Sequence, residues 1–218
     1  MTSAARRPLA PLLLRAVLVL CVLGALVLVE VTSRSGVAWR LTTFTYQVNL
    51  LAAAFYAWTL LPGRFDARPG VRGAVVLYLL VAGLVWLLFL TGRSMGFTSA
   101  NVLLHLVVPA LALADWVLTG RRGRRPVSWW HPPVWLAFPA GYLALALLFL
   151  NGAGRRAPYY FLDPDTVGAA GLAANVGRLA LGFLVLGYLV VALGRVPAVV
   201  PRPARSRAAP GRRTASDG

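Results

Sequence analysis

Between residues 11 and 193 the chain alternates between long apolar runs and short breaks rich in Gly, Pro and Arg. Six of the runs approach the roughly 20 residues that a membrane-crossing helix requires. They cover residues 11–31, 41–61, 71–90, 101–119, 133–150 and 168–193. The pattern predicts an all-α, polytopic six-transmembrane-helix bundle. Residues 1–10 form a short N-terminal segment, 11–194 the membrane domain and 195–218 a basic tail expected to be disordered. The first run follows Arg6 and Arg7, as the apolar part of a secretory signal would. It has the length of a full span, however, and no small-residue cleavage site followed by a polar region ends it. It is expected to stay as the first transmembrane helix.

Composition agrees with a lipid environment. The chain is 59% hydrophobic and 13% charged, with a mean hydropathy of +0.72, whereas soluble domains carry about 25% charged residues. The net charge of +16 comes entirely from Arg on the basic side. It sits in short runs between apolar segments, the signature of membrane topology rather than of nucleic-acid binding. With both termini inside, fifteen Arg fall in inner segments and five in outer loops, an N-in/C-in arrangement under the positive-inside rule. The "GRRGRR" cluster at 120–125 is the strongest inner determinant, with anionic lipid as a secondary contact. Trp39, Trp116, Trp129, Trp130 and Trp135 are expected as interfacial anchors. The single Cys21 lies in an apolar run and allows no intrachain disulfide.

Polar residues within the runs mark the candidate chemistry, because lipid offers them no partner. In the second run Thr42, Thr45, Asn49 and Tyr56 fall within about 60° of one another on a helix turning about 100° per residue, while Thr43 points about 160° away. In the fourth run Asn101, His105 and Asp115 fall within about 80°. Asn175 and Arg178 lie on one side of the sixth. Thr45 and His105 each lie four residues into their run, about 6 Å below the outer end. Asp115 lies about 15 Å further along the axis, so its expected partner is an inner-side Arg such as one of the 121–125 cluster. Pro109 is expected to kink the helix one turn past His105. The loop "NGAGRRAPYYFLDPDTVG" is either an interfacial anchor or a cap over a bundle cavity. No Walker loop, HExxH, GxSxG or dinucleotide fingerprint occurs. His105 and His131 fall on different sides of the membrane, which argues against a metal site, and no cofactor is expected.

The stretches "AWRLTTFTYQVNLL", "LLHLVVPALALADW" and "APYYFLDPD", in this order, resemble the androgen-induced protein family through its bacterial multi-pass branch. The resemblance extends over residues 37–195, and its most specific part is His105, Pro109, Asp115 and Trp116. It implies a membrane threonine hydrolase. The characterised animal members cleave fatty acid esters of hydroxy fatty acids with a Thr from the second-span region and a His matching His105. The animal pattern of Trp, basic residue, then Thr before Phe fits Trp39, Arg40 and Thr43. The bacterial pattern, Phe-Thr two residues before Gln, favours Thr45, as does the helical stripe. Tyr160 stands where the family commonly has Pro.

The mechanism expected from these residues has Thr45 (alternatively Thr43) as nucleophile and His105 as its base. Asn49 or Asn101 would orient the His or donate to an oxyanion, and Arg178 would hold a substrate carboxylate. The partner is a membrane lipid or lipid-like substrate entering sideways. A small transporter using the same polar stripe, which would call for an inverted repeat or broken helices, and a non-catalytic scaffold subunit are the competing readings.

Overall fold

The computed structural model describes residues 9–33, 35–64, 68–92, 95–120, 126–150 and 158–195. Those residues form helices: α1 (Leu9–Thr32), the short α2 (Val37–Leu41), α3 (Phe44–Leu60), α4 (Pro69–Leu90), α5 (Ser99–Thr119), α6 (His131–Leu148) and α7 (Pro164–Arg195). By length and composition α1, α4, α5, α6 and α7 are able to cross a membrane. α3 is apolar as well but has 17 residues. Polarity is inverted relative to a soluble domain. Leu13, Leu20 and Val31 on α1 are exposed while Arg15 on the same helix is wholly buried, the distribution expected where lipid is the solvent. Five apolar helices with charged residues turned inward are consistent with a membrane protein.

α4 is the central element, packed against α3, α5 and α7. α1 flanks α3 and α5. The start of α6 packs on α7, where Gly187 lets Pro132 approach. At Gly194 an added Cβ would fall 2.7 Å from the Trp116 ring, so glycine is what allows α5 and α7 to close on each other.

The second apolar run is not one helix. α2 ends at Leu41, and Thr43 adopts an extended conformation (φ −84°, ψ 140°) before α3 begins at Phe44. Thr hydroxyls compete with helical hydrogen bonding and favour caps. Here Thr42 donates to Trp39 O at 2.6 Å, and Thr43 donates to Arg40 O at 2.8 Å while accepting from Tyr46 N at 3.4 Å. Thr42 is therefore not part of the α3 stripe. The break also brings Arg40 onto Glu30 of α1, and the same carboxylate accepts from the Tyr46 hydroxyl at 2.6 Å. These contacts tie together α1, α2 and α3 at one end of the bundle.

At the other end Asp115 is buried and pairs with Arg, as expected, the Arg residues coming from α1 and α4. Arg15 Nε of α1 donates to its Oδ1 at 2.7 Å, and Arg72 Nε of α4 stands 3.7 Å from Oδ2. Arg72 also donates to Thr119 Oγ1 at 2.9 Å. The 121–125 cluster lies outside the described residues, as do Arg155 and Arg156 and the tail from residue 196. Within an apolar bundle the strongest available partner for a carboxylate is another buried charge on a facing helix, which is why α1 and α4 supply it. Two of the expected interfacial anchors are likewise interior. Trp116 is buried and donates Nε1–H to Val190 O at 2.8 Å, and Trp135 is buried too. Trp129 and Trp130 are exposed.

The described part of the cap segment, from residue 158, is largely buried. Tyr159, Phe161 and Leu162 turn inward around a short 3-10 turn (Tyr160–Leu162). Asp163 then caps α7, accepting from Asp165 N at 3.1 Å and Thr166 Oγ1 at 2.8 Å. α7 departs from helical geometry at Gly168 (φ 71°), a left-handed conformation that favours glycine. Asn175, about two turns beyond, donates to Phe161 O at 3.0 Å and pins the cap from below.

Candidate functional site

His105 sits in the middle of a π turn (Leu103–Val107), one residue of extra winding inside α5. Pro109 contributes no N–H to the ladder, and the π turn takes up the register, with Val108 N–H bonding Leu103 O. The carbonyl of His105 presses against α4 at Gly83, where a Cβ would come within 2.3 Å of it. No other residue type fits that contact without parting the two helices. A second π turn, Trp86–Leu90, closes α4. It opens on Trp86, whose indole stacks on the His105 ring with centroids 5.0 Å apart and planes 19° apart. Trp86 is itself held by donation to Met95 O at 3.1 Å.

Both ring nitrogens of His105 have assigned tasks. Nδ1 is 2.9 Å from Asn101 O. A carbonyl only accepts, so Nδ1 carries the hydrogen, and the neutral ring presents its lone pair at Nε2. Nε2 lies 3.3 Å from Thr45 Oγ1. The chain thus builds a hydroxyl–imidazole–carbonyl relay from α3 and α5, with a main-chain carbonyl as the orienting third group. His105 is 1% exposed and Thr45 8%, and Thr45 borders the cavity beside the pair.

Tyr159 from the cap completes the contacts of Thr45. Its hydroxyl is 3.4 Å from Thr45 Oγ1 and accepts from Thr45 N at 3.3 Å. Thr45 is in the first turn of α3, where backbone N–H groups have no intrahelical acceptor. The ring is fixed by stacking on Phe161, with centroids 5.5 Å apart. Burial pushes the phenol above its ordinary value, opposed by its hydrogen bonds to Thr45, and keeps it an O–H. Tyr159 is invisible as a site residue in the sequence, where it is one aromatic in a loop. Trp86 is equally hidden within an apolar run.

The other candidates fall elsewhere. Thr43 caps α3 and has its hydroxyl engaged there, so Thr45 is the hydroxyl in reach of His105. Asn49 is buried with its amide donating to Thr45 O at 2.9 Å, and it supports the helix rather than the imidazole. Asn101 serves His105 through its main-chain carbonyl, its side chain donating to Gly96 O at 2.8 Å. Arg178 is not at the dyad. It donates to Asn175 Oδ1 at 3.1 Å and lines an outer groove.

An apolar cavity of about 210 Å³ adjoins Thr45. α3 contributes Phe44 and Thr45, α4 Val81 and Val85, α6 Leu136 and Tyr142, the cap Tyr159 and Phe161, and α7 Leu179 and Phe183. A second hollow of about 270 Å³ between α4 and α7 shares Val81, Val85, Phe161, Leu179 and Phe183 with the first, and carries Asn175 and Arg178 on its wall. A mostly apolar hollow with a few convergent polar groups is the usual form of a small-molecule site.

No family model matches this chain, and no curated protein or solved structure does either. The resemblance to the androgen-induced protein family rests on the three quoted stretches alone.

Proposed function

We propose that the chain is a multi-pass protein of the cell membrane, a six-span bundle with both termini inside, that hydrolyses lipid esters through Thr45 and His105. The observation that supports this most directly is the 3.3 Å approach of Thr45 Oγ1 to His105 Nε2, with Nδ1 engaged by Asn101 O, at the wall of an apolar cavity. The resemblance leads to the same reading and gives fatty acid esters of hydroxy fatty acids as the implied substrate class. Thr45 Oγ attacks the ester carbonyl carbon while His105 Nε2 takes its proton. The tetrahedral intermediate collapses, the bond to the alcohol oxygen breaks, and the alcohol leaves with the proton from His105. Water then gives a proton to the same Nε2 and attacks the acyl-Thr45 ester; the bond to Oγ breaks, the acid leaves, and the proton passes from Nε2 to Oγ to restore the hydroxyl. In this orientation the dyad lies in the outer leaflet, and substrate reaches the cavity from within the bilayer.

Labelling with a fluorophosphonate probe tests the reading. Wild type and Thr43→Ala should label, whereas Thr45→Ala and His105→Ala should not. Loss of a cap hydroxyl costs about 1 kcal/mol, so Thr43→Ala is expected to melt a few degrees lower and still react. Labelling of Thr45→Ala at the wild-type level would exclude Thr45 as nucleophile.

Orientation has its own test in a Cys21→Ser background. Gly123→Cys should resist a membrane-impermeant maleimide applied to intact cells, and Gly154→Cys should react. Reaction of Gly123→Cys from outside would reverse the proposed topology.

A further inference from the structure

The first turn of α3 offers more than a nucleophile. The amides of Phe44 and Thr45 stand ahead of the helical ladder, close to Tyr159 of the cap and Tyr142 of α6. Thr45 N–H donates to the Tyr159 hydroxyl. The Tyr142 hydroxyl of α6 lies near the Phe44 backbone, and among the described residues it is buried without a partner in hydrogen-bond geometry, on a residue only 6% exposed. A buried hydroxyl left unsatisfied is unfavourable, and native proteins rarely keep one without a use. Both phenols line the cavity that holds Thr45.

We propose that Tyr159 is a catalytic residue of the hydrolysis, donating to the carbonyl oxygen as it becomes an oxyanion, with Tyr142 as a second donor. This rests on the hydrolase reading above. In a tetrahedral adduct the oxyanion and the Thr45 oxygen share one carbon, so a donor 3.4 Å from Thr45 Oγ1 is within reach of the oxyanion. His105 approaches Oγ1 through Nε2 to receive the proton, leaving Tyr159 to face the developing charge. When the substrate oxygen enters, the Tyr159 hydroxyl donates to it. The Thr45 amide, at a helix start that favours negative charge, is then able to turn from the phenol oxygen to the same atom. The tetrahedral intermediate carries its charge on that oxygen until collapse returns the electron pair to the carbonyl.

The test uses the full-length protein in detergent, a long-chain p-nitrophenyl ester as substrate, and two ligands of equal chain length. One is an alkyl trifluoromethyl ketone, which Thr45 converts to a tetrahedral oxyanion adduct; the other is the matching alkyl ether, which forms none. Tyr159→Phe keeps the ring and its stacking on Phe161. It should lower kcat by about 10²–10³-fold with little change in KM, and weaken the ketone by a comparable factor while leaving ether binding intact. Tyr142→Phe, which removes a hydroxyl without a hydrogen-bond partner among the described residues, should show the same pattern at smaller size. Parallel loss of ether and ketone binding would mark Tyr159 as structural and overturn the proposal. So would a kcat of Tyr159→Phe within twofold of wild type, when turnover still depends on Thr45 and His105; the dyad would then stand without Tyr159. If wild type neither turns over the ester nor binds the ketone better than the ether, both readings fall together.

Discussion

His105→Gln is expected to reduce ester turnover by about 10⁴-fold, the scale on which hydrolases lose rate when one member of a nucleophile–base relay is removed. The protein should remain folded. Gln keeps a polar side chain in the space between Trp86 and Thr45 and retains an amide able to reach Asn101 O or Thr45 Oγ1, but it does not accept a proton at neutral pH. What it loses structurally is the ring stack on Trp86, and aromatic pairs contribute about 0.5–1.5 kcal/mol beyond burial. The melting temperature in detergent should therefore fall by a few degrees at most. The measurements are kcat/KM on a long-chain p-nitrophenyl ester and a thermal melt on the same preparation. Wild-type turnover by well-folded His105→Gln would remove the imidazole from the reaction.

The opposite separation is expected for Asp115→Asn. Asp115 balances two buried guanidinium groups, Arg15 from α1 and Arg72 from α4, and joins both helices to α5. Asn cannot neutralise either. Breaking one partner of a buried ion pair typically costs about 3–5 kcal/mol, because the charge left behind is uncompensated. Here two guanidinium groups lose the same carboxylate, so a large fall in melting temperature and in yield is expected. Turnover by the fraction that folds should persist, because Asp115 lies ten residues beyond His105 on α5, about 15 Å along the axis. Adding Arg15→Met to Asp115→Asn removes one of the two buried cations that face this carboxylate and should recover part of the loss, the coupling expected of residues in one network. An unchanged melt for Asp115→Asn would mean that the cluster does not hold the bundle together. Loss of turnover without loss of stability would move the proton chemistry to Asp115.

The apolar runs and their helical phase were legible along the chain, because each depends on residues a few positions apart. Leu9–Thr32, Pro69–Leu90 and Ser99–Thr119 are helices where the runs place them. The meeting of Thr45 and His105 follows from two local quantities, the angle and the rise per residue, applied to two runs that start at one end of the bundle. The break at Thr42 and Thr43 was within reach as well, since three Thr in four residues advertise a cap, yet the continuous hydropathy of the run masked it.

Other features depend on which residues a folded helix meets, and local periodicity carries no information about that. Asp115 takes Arg15 from 100 residues away because α1 packs on α5. Trp116 turns inward because Gly194 leaves room for its ring. The imidazole of His105 is aimed by a π turn, by the missing N–H of Pro109 and by the close approach of Gly83, three effects that have meaning only once α4 and α5 touch. Tyr159 becomes a neighbour of Thr45 only when the cap folds between α6 and α7, 114 residues beyond it in the chain. Local pattern therefore sufficed for most of the helices and for the facing of Thr45 and His105. The tertiary packing decided their protonation geometry, their charge partners and the hydroxyl beside them, because those depend on contacts between distant segments that no local pattern encodes.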